Sequence, residues 1–114
     1  MMGDHAQALW QYRDRMRQAR ETEDRLGEYV QAIEEFGLDR PGAAQQPVQC
    51  RAGLLTPAEI RAQAEQLSRQ LETLLYQAAA DRETVLTGIL RQCKNLAEYR
   101  AMRQTYIDSI DAAV

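Results

Sequence analysis

The stretch Thr56–Cys93, TPAEIRAQAEQLSRQLETLLYQAAADRETVLTGILRQC, decides the fold of this chain. It begins with a capping box, in which the Thr56 hydroxyl can accept from the Glu59 amide while the Glu59 carboxylate bonds back to the amide of Thr56. Pro57 stands at the first helical position, where its missing N–H removes no hydrogen bond. The stretch therefore predicts one long helix that begins at residue 57.

Apolar residues follow the cap at alternating steps of four and three, which places them on one helix face, close to a coiled-coil seam. They are Ile60, Ala64, Leu67, Leu71, Leu74 and Ala78, and the stripe widens at Val85, Leu86, Ile89, Leu90 and Cys93. Asp81 interrupts the stripe. We predict a helix over residues 57–93, with Leu67 and Leu71 buried, and leave open whether it kinks at Asp81 or Gly88.

Residues 5–36 carry a second helical pattern. Its apolar residues fall on a heptad frame, with Glu23 as the polar exception: Leu9, Tyr12, Met16, Ala19, Leu26, Val30 and Ile33. A seam of this kind needs a facing helix, in its own chain or in another subunit. Gly37 ends the pattern, because glycine readily takes the left-handed conformation that follows many helices.

Residues 37–55 form the predicted connector. Breaker signals stand at Pro41-Gly42, at Gln45-Gln46-Pro47 and at Gly53. A structureless connector of this length is unusual in a compact bundle, so it either packs as a loop or lets the first helix reach away. Leu54-Leu55, directly before the Thr56 cap, predicts a hydrophobic staple.

A third helix is predicted over residues 96–112. Asn95-Leu96-Ala97-Glu98 resembles another capping box, and it either marks a true break or lies inside a continuing helix. The apolar face of this helix comprises Leu96, Tyr99, Met102, Tyr106 and Ile110. Asp108 and Asp111 lie near its C-terminal end, where the helix dipole disfavours acids, so we expect that end to fray.

The composition places these helices in one domain, residues 1–114. Hydrophobic residues make up 45%, charged residues 27%, and there are only three prolines, a balance typical of a folded all-α protein. We predict an elongated helical hairpin or bundle of two to three long helices with coiled-coil-like packing. The heptad seam and the long second helix favour a homodimer.

Charge and hydropathy narrow the setting. The net charge of −3 argues against a general binder of nucleic acid or anionic membranes. No window approaches the ~18 apolar residues of a membrane span. Residues 1–10 carry no apolar run and no cleavage site, so we expect no signal peptide. We therefore expect a cytoplasmic protein with Cys50 and Cys93 reduced. Lys94 is the sole lysine among 14 basic residues, which favours a GC-rich bacterial or phage genome.

The sequence contains no motif of known chemistry. His5, Cys50 and Cys93 are the soft metal ligands, and none stands at metal-ligand spacing from another. There is no glycine-rich phosphate loop and no nucleophile elbow. We expect no catalytic residue, no metal and no cofactor, and hence not an enzyme.

An arginine cluster supports an alternative function. Arg13, Arg17 and Arg20 share one helix face, as the arginines of a DNA-reading helix do. Acidic residues interleave with them, and Arg17–Glu21 is an i,i+4 pair, which is typical of a solvated face. A nucleic-acid-associated regulator, or a phage structural or assembly component, remains the alternative.

The aromatic residues carry the main functional prediction. Trp10 and Tyr76 lie off the apolar stripes, and exposed Trp and Tyr commonly anchor protein interfaces, unless another helix covers them. The candidate partner-binding residues are Trp10, Tyr12, Tyr76, Leu86, Leu90, Tyr99, Tyr106 and Ile107. They predict a helical protein-interaction module that caps or sequesters a partner protein, in the manner of an antiactivator or a secretion or assembly chaperone.

Overall fold

The computed structural model describes residues 4–39 and 46–113, and these are mostly helical. The elements in chain order are α1 (Asp4–Phe36), β1 (Val48–Cys50), β2 (Gly53–Leu55), α2 (Pro57–Gln92), α3 (Leu96–Arg103), a π-helix (Gln104–Asp108) and α4 (Ser109–Ala113). The predicted all-α fold with two long helices and a shorter third helical segment is confirmed. The breakers Pro41-Gly42 and Gln45 lie outside the described residues.

The predicted cap of α2 is present. The Glu59 amide donates to Thr56 Oγ1 at 3.2 Å, and the Thr56 amide lies 3.5 Å from Glu59 Oε1. Leu55 packs against a core cluster that includes Ile60, four positions into the helix. Leu55 thus lies where the predicted hydrophobic staple places it, whereas Leu54 is exposed.

The end of α1 is a Schellman motif. Gly37 has a φ of 63°, the left-handed conformation expected of the residue after a helix. The Leu38 amide donates to the Ile33 carbonyl at 3.0 Å, and the Gly37 amide donates to the Glu34 carbonyl at 3.4 Å. Leu38 and Ile33 then pack in the same apolar cluster, so the turn directs the chain back onto its own helix.

The second helix runs without a break through Asp81 and Gly88 and ends at Gln92. Asn95 then caps α3, because its side chain accepts from the Glu98 amide at 2.9 Å. Glu98 in turn accepts from the amide of Lys94 at 2.8 Å. The alternative in which Asn95-Leu96-Ala97-Glu98 marks a true break is therefore the one observed.

The chain divides into two compact units, and both long helices pass through each of them. The first unit comprises Met1–Arg20 with Thr73–Val114, and the second comprises Glu21–Glu72. The core of the first unit contains Ala8, Val85, Ile89 and Ile107. Within it α1 and α2 run antiparallel, since His5 contacts Gln92 while Arg15 pairs with Asp81.

The second unit has a core of Ala32, Leu38 and Ile60, covered by the short β-hairpin. Val48 pairs with Leu55 across the hairpin, and both pack on this core. Gly53 closes the turn with a φ of 125°, which an L-residue rarely adopts. The described part of the connector therefore packs on its own unit, the first of the two alternatives that the sequence leaves open.

The seam of α1 is displaced from the predicted heptad frame. Its buried residues include Ala8, Tyr12, Ala19, Thr22 and Ala32, whereas Val30 is exposed. Several of these buried residues are alanines, and α1 and α2 approach closely at Gly88, where a Cβ would come within 2.5 Å of the His5 Cβ. Tyr12 and Ala19 are buried as the frame predicts, whereas Leu9 and Ile33 are half-buried beside the buried Ala8 and Ala32.

The predicted stripe on α2 agrees more closely with the structure. Ile60, Leu67, Ala78, Val85 and Ile89 are buried as expected. Leu71, predicted to be buried, is only half-buried. The interrupting Asp81 is itself 8% exposed and lies within the buried face of the helix.

Candidate partner-binding site

The predicted partner-binding residues fall into three groups by burial. Trp10, Tyr76, Leu90 and Tyr106 are exposed. Leu86 and Tyr99 are half-buried and pack against the core of the first unit. Tyr12 and Ile107 are buried, and their side chains are not at the surface.

Two of the exposed aromatic residues, Trp10 and Tyr106, line one groove. Its volume is about 540 Å³, and it lies between α1 and the C-terminal helical segment, residues 96–113, within the first unit. The lining residues, which we call the Trp10 groove, are Leu9, Trp10, Arg13, Asp14, Arg17, Thr105, Tyr106, Ser109 and Ile110.

Helix periodicity accounts for both walls of the Trp10 groove. The α1 wall uses positions 9, 10, 13, 14 and 17, and the opposite wall uses positions 105, 106, 109 and 110. Each set repeats at steps of one, three and four, so each is a single strip along its helix. The groove is thus a channel between two helices, with apolar and aromatic side chains on both sides.

The π-helix Gln104–Asp108 forms part of the second wall. Ile107 within it is buried in the core, while its neighbour Tyr106 is 39% exposed at the groove. Two hydroxyls bond carbonyls in and beside this segment: Thr105 Oγ1 donates to the Ala101 carbonyl at 3.0 Å, and Ser109 Oγ donates to the Gln104 carbonyl at 3.1 Å. A single π-helical turn of this kind, called a π-bulge, is wider than an α-helical turn and is frequent at functional sites.

The charges on the α1 wall are unequally satisfied. Asp14 pairs with Arg17 one turn along and also accepts from Gln18 Nε2 at 2.7 Å. The Arg13 guanidinium lies 5.2 Å from the centroid of the Trp10 ring, a cation–π distance. Among the described residues Arg13 makes no ion pair, so the wall presents one uncompensated positive charge beside its largest aromatic ring.

A hydrogen-bonded triad behind the groove holds its two walls together. The Tyr12 hydroxyl donates to Asp111, and Arg82 Nη2 lies 3.3 Å from the other carboxylate oxygen of Asp111. Burial, reinforced by the Asp111 carboxylate, raises the pKa of Tyr12 to about 12. The sequence predicts that this helix end frays, because the helix dipole disfavours an acid such as Asp111. Tyr12 and Arg82 offset that unfavourable interaction by binding the Asp111 carboxylate.

The remaining exposed candidates lie outside the groove. Tyr76 is 72% exposed on α2, next to the partly exposed Leu75. Leu90 is exposed further along the same helix, and neither it nor Tyr76 lines the Trp10 groove. The structure therefore brings together Trp10 and Tyr106 but not Tyr76 or Leu90.

The sequence indicates some groove residues without assigning them to a site. Leu9 and Ile110 belong to predicted apolar stripes, and Arg13 and Arg17 to the arginine cluster. The sequence gives no indication of Thr105 or Ser109, because a hydroxyl on a helix carries no local signal of a groove. The i,i+3 spacing of Trp10 and Arg13 is the pattern from which the α1 wall could have been inferred.

Cys50 and Cys93 lie in different units of the chain. Cys93 Sγ lies 3.5 Å from Met102 Sδ in the first core, and Cys50 Sγ lies 3.3 Å from the Gly53 carbonyl in the hairpin. No group of three His, Cys, Asp or Glu side chains in the described parts of the chain is placed to hold a metal ion.

A search of the described helices found no segment with the length and hydropathy of a membrane span.

Comparisons with known protein families, with curated proteins and with solved structures found no match.

Proposed function

We propose that this protein is a non-enzymatic helical protein-interaction module that caps or sequesters a partner protein, and that the Trp10 groove is its recognition site. The observation that carries the proposal is the exposure of Trp10, which is 67% accessible and faces Tyr106 across a groove. Trp10 is the single tryptophan of the chain, and it lies at the surface and not in the core of the first unit.

The energetics of interfaces support this assignment. Trp and Tyr are enriched among the few residues that carry most binding energy, and those residues favour pockets that a partner fully desolvates. A partner side chain that enters a groove is desolvated by two walls, whereas one that meets an exposed residue on a single helix is desolvated on one side. Tyr76 and Leu90, which lie on α2 away from the groove, are for that reason weaker candidates than Trp10 and Tyr106.

The class of partner function remains the one that the sequence suggests. Capping or sequestration by a helical face is the action of antiactivators and of secretion or assembly chaperones, and we propose this class on analogy of size and fold. We further expect a homodimer in the cytoplasm. A partner helix lying against Trp10 would occlude an apolar face that the partner otherwise exposes.

The proposal is tested by affinity capture from the native host with three baits: the wild-type chain, Trp10→Ala and Tyr76→Ala. Trp10→Ala should lose the captured partner, because truncating an interface anchor costs about 2 kcal/mol or more. Tyr76→Ala is the matched control, since it removes an aromatic residue that is equally exposed but lies outside the groove. Thermal melts of all three proteins should agree closely, because neither side chain is buried.

Loss of capture in Tyr76→Ala alone would place the binding face on α2 and contradict the groove. Loss of both capture and stability in Trp10→Ala would show that Trp10 has a packing role. Equal capture by all three baits would exclude both residues as anchors.

A further inference from the structure

We infer that the Trp10 groove recognises a short amphipathic helix that carries an acidic side chain beside its apolar anchors, and that Arg13 pairs with that acid. This inference rests on the proposed function and specifies the partner's chemistry. The observation behind it is the contrast between a neutralised Arg17 and an uncommitted Arg13 in the same wall.

The dimensions of the groove fit a helical ligand. Its α1 wall extends from Leu9 to Arg17, which at 1.5 Å per residue is about 12 Å, or roughly two helical turns. Two helical walls present a channel in which a third helix can lie, with side chains one turn apart entering it. Helix-in-groove recognition uses apolar anchors at i and i+3 or i+4, and two such anchors match this length.

The charges of the wall specify the sign of the ligand. Asp14 is occupied by Arg17 and Gln18, so it does not neutralise Arg13. The guanidinium of Arg13 lies over the Trp10 ring and makes no ion pair among the described residues, so its N–H groups are available to an incoming acid. A planar guanidinium binds a carboxylate with two parallel hydrogen bonds, and stacking on an aromatic ring restricts its motion before binding.

The same charges disfavour nucleic acid as the ligand. Phosphate binding by a protein depends on several basic contacts acting together. Here one uncompensated arginine stands next to an aspartate, in a chain whose net charge is −3. A single carboxylate next to apolar anchors matches this wall better than a row of phosphates does.

The experiment is a selection from a library of displayed helical peptides in which one face is randomised. The baits are the full chain, Arg13→Glu and Arg25→Glu. Arg25 is an exposed arginine on the same helix outside the groove, so its reversal changes net charge equally and serves as the control. Tryptophan fluorescence measures the affinities, because Trp10 is the only tryptophan and lies in the groove.

The wild-type chain and Arg25→Glu should select peptides with two apolar anchors and an enriched Asp or Glu beside them. These peptides should bind Arg13→Glu about tenfold or more weakly, as expected for a lost charge-assisted pair. Arg13→Glu should itself select Lys or Arg at the same position, and short duplex DNA should not compete with the peptides.

Selection of nothing by the wild-type chain, or of peptides without an acid preference, would overturn the inference. So would an acid preference that survives Arg13→Glu, or enriched sequences that match a segment of this chain such as Glu34-Glu35-Phe36, which would identify a second copy as the occupant. Failure here alongside Trp10-dependent capture from the host leaves the proposed function intact, so the two tests are separable.

Discussion

At the scale of single residues, Tyr12 shows how a side chain predicted to contact a partner instead supports the site from behind. It is 3% exposed and bonds Asp111 across the first unit. Removing its proton would leave a buried phenolate beside a carboxylate, which is why its pKa rises from 10.0 to about 12. The groove walls therefore depend on a protonated phenol.

This pKa predicts a loss of stability at alkaline pH. Well below pH 10, Tyr12 is protonated in both the folded and the unfolded chain, so its contribution to stability is fully present. As the pH rises from 10 towards 12 the unfolded chain ionises first, and unfolding becomes easier by on the order of 2–3 kcal/mol. Urea unfolding at a series of pH values above neutrality measures the slope.

The control for this prediction is Tyr12→Phe, which cannot ionise. It should be less stable than wild type at neutral pH by about 1 kcal/mol, because Asp111 loses a donor, and its stability should fall less steeply above pH 10. An equally steep fall in the variant would assign the alkaline transition to other groups.

Two glycines in long helices differ in what surrounds them, and they make a matched pair. A Cβ on Gly88 would lie 2.5 Å from the His5 Cβ, whereas a Cβ on Gly27 would meet nothing within 4 Å. Gly27→Ala should stabilise the protein by about 1 kcal/mol through helix propensity alone. Gly88→Ala should be less stable than Gly27→Ala by about 1–3 kcal/mol, because α1 must move away from α2.

Chemical denaturation of the two variants tests this contrast. If Gly88→Ala gained as much stability as Gly27→Ala, the N-terminal turn of α1 would not pack against α2 as described.

At the scale of elements, the pair between Arg15 and Asp81 sets the alignment of α1 against α2. Asp81 lies within the apolar face of α2, and Arg15 also reaches the Gln77 carbonyl at 3.4 Å. A charged pair inside a seam contributes little net stability compared with apolar residues, but it disfavours shifted alignments that would leave either charge unpaired.

A double-mutant cycle tests this role. Asp81→Leu alone should destabilise the protein by about 1–3 kcal/mol, because it leaves Arg15 partly buried without its acid. Arg15→Leu with Asp81→Leu should recover most of that loss. Additive losses in the double variant, measured by denaturation, would show that the two side chains do not act as a pair.

Local signals in the sequence predicted the ends of the helices well. The capping boxes at Thr56 and Asn95 and the glycine at position 37 each depend on residues within one turn, so their hydrogen bonds follow from the sequence alone. The α1 seam could not be assigned as reliably. Which face of a helix is buried depends on the facing helix, and here that helix favours the small residues Ala8, Ala19 and Ala32 over larger neighbours.

The groove itself was beyond the reach of periodicity. Trp10 and Tyr106 were each predicted to bind a partner, but nothing in the sequence placed them opposite one another. Their proximity depends on the helix break before Leu96 and on the π-helix, which puts Ile107 in the core with Tyr106 at the surface. A π-bulge has no sequence signature comparable to a helix cap. Which side chains it turns towards the core and which towards the surface is therefore visible only in the structure.

At the scale of the whole molecule, we expect association of two copies. Exposed apolar side chains on α2, such as Leu75 and Leu90, provide surface for a symmetric contact. Light scattering coupled to size exclusion at micromolar concentration should give a mass above that of one chain. A single-chain mass throughout a dilution series would contradict the dimer, and Trp10→Ala should leave the mass unchanged.

The most direct test of the groove as the partner-binding site is site-specific photocrosslinking in the native host. A photoreactive phenylalanine analogue replaces Tyr106 in the groove in one strain and Tyr76 outside it in another. The two aromatic positions lie on different helices, and of the two only Tyr106 lines the groove. We therefore predict that illumination links position 106, but not position 76, to the partner protein that the wild-type chain captures. Crosslinks to another protein from position 76 alone, or from neither position, would contradict recognition through the Trp10 groove.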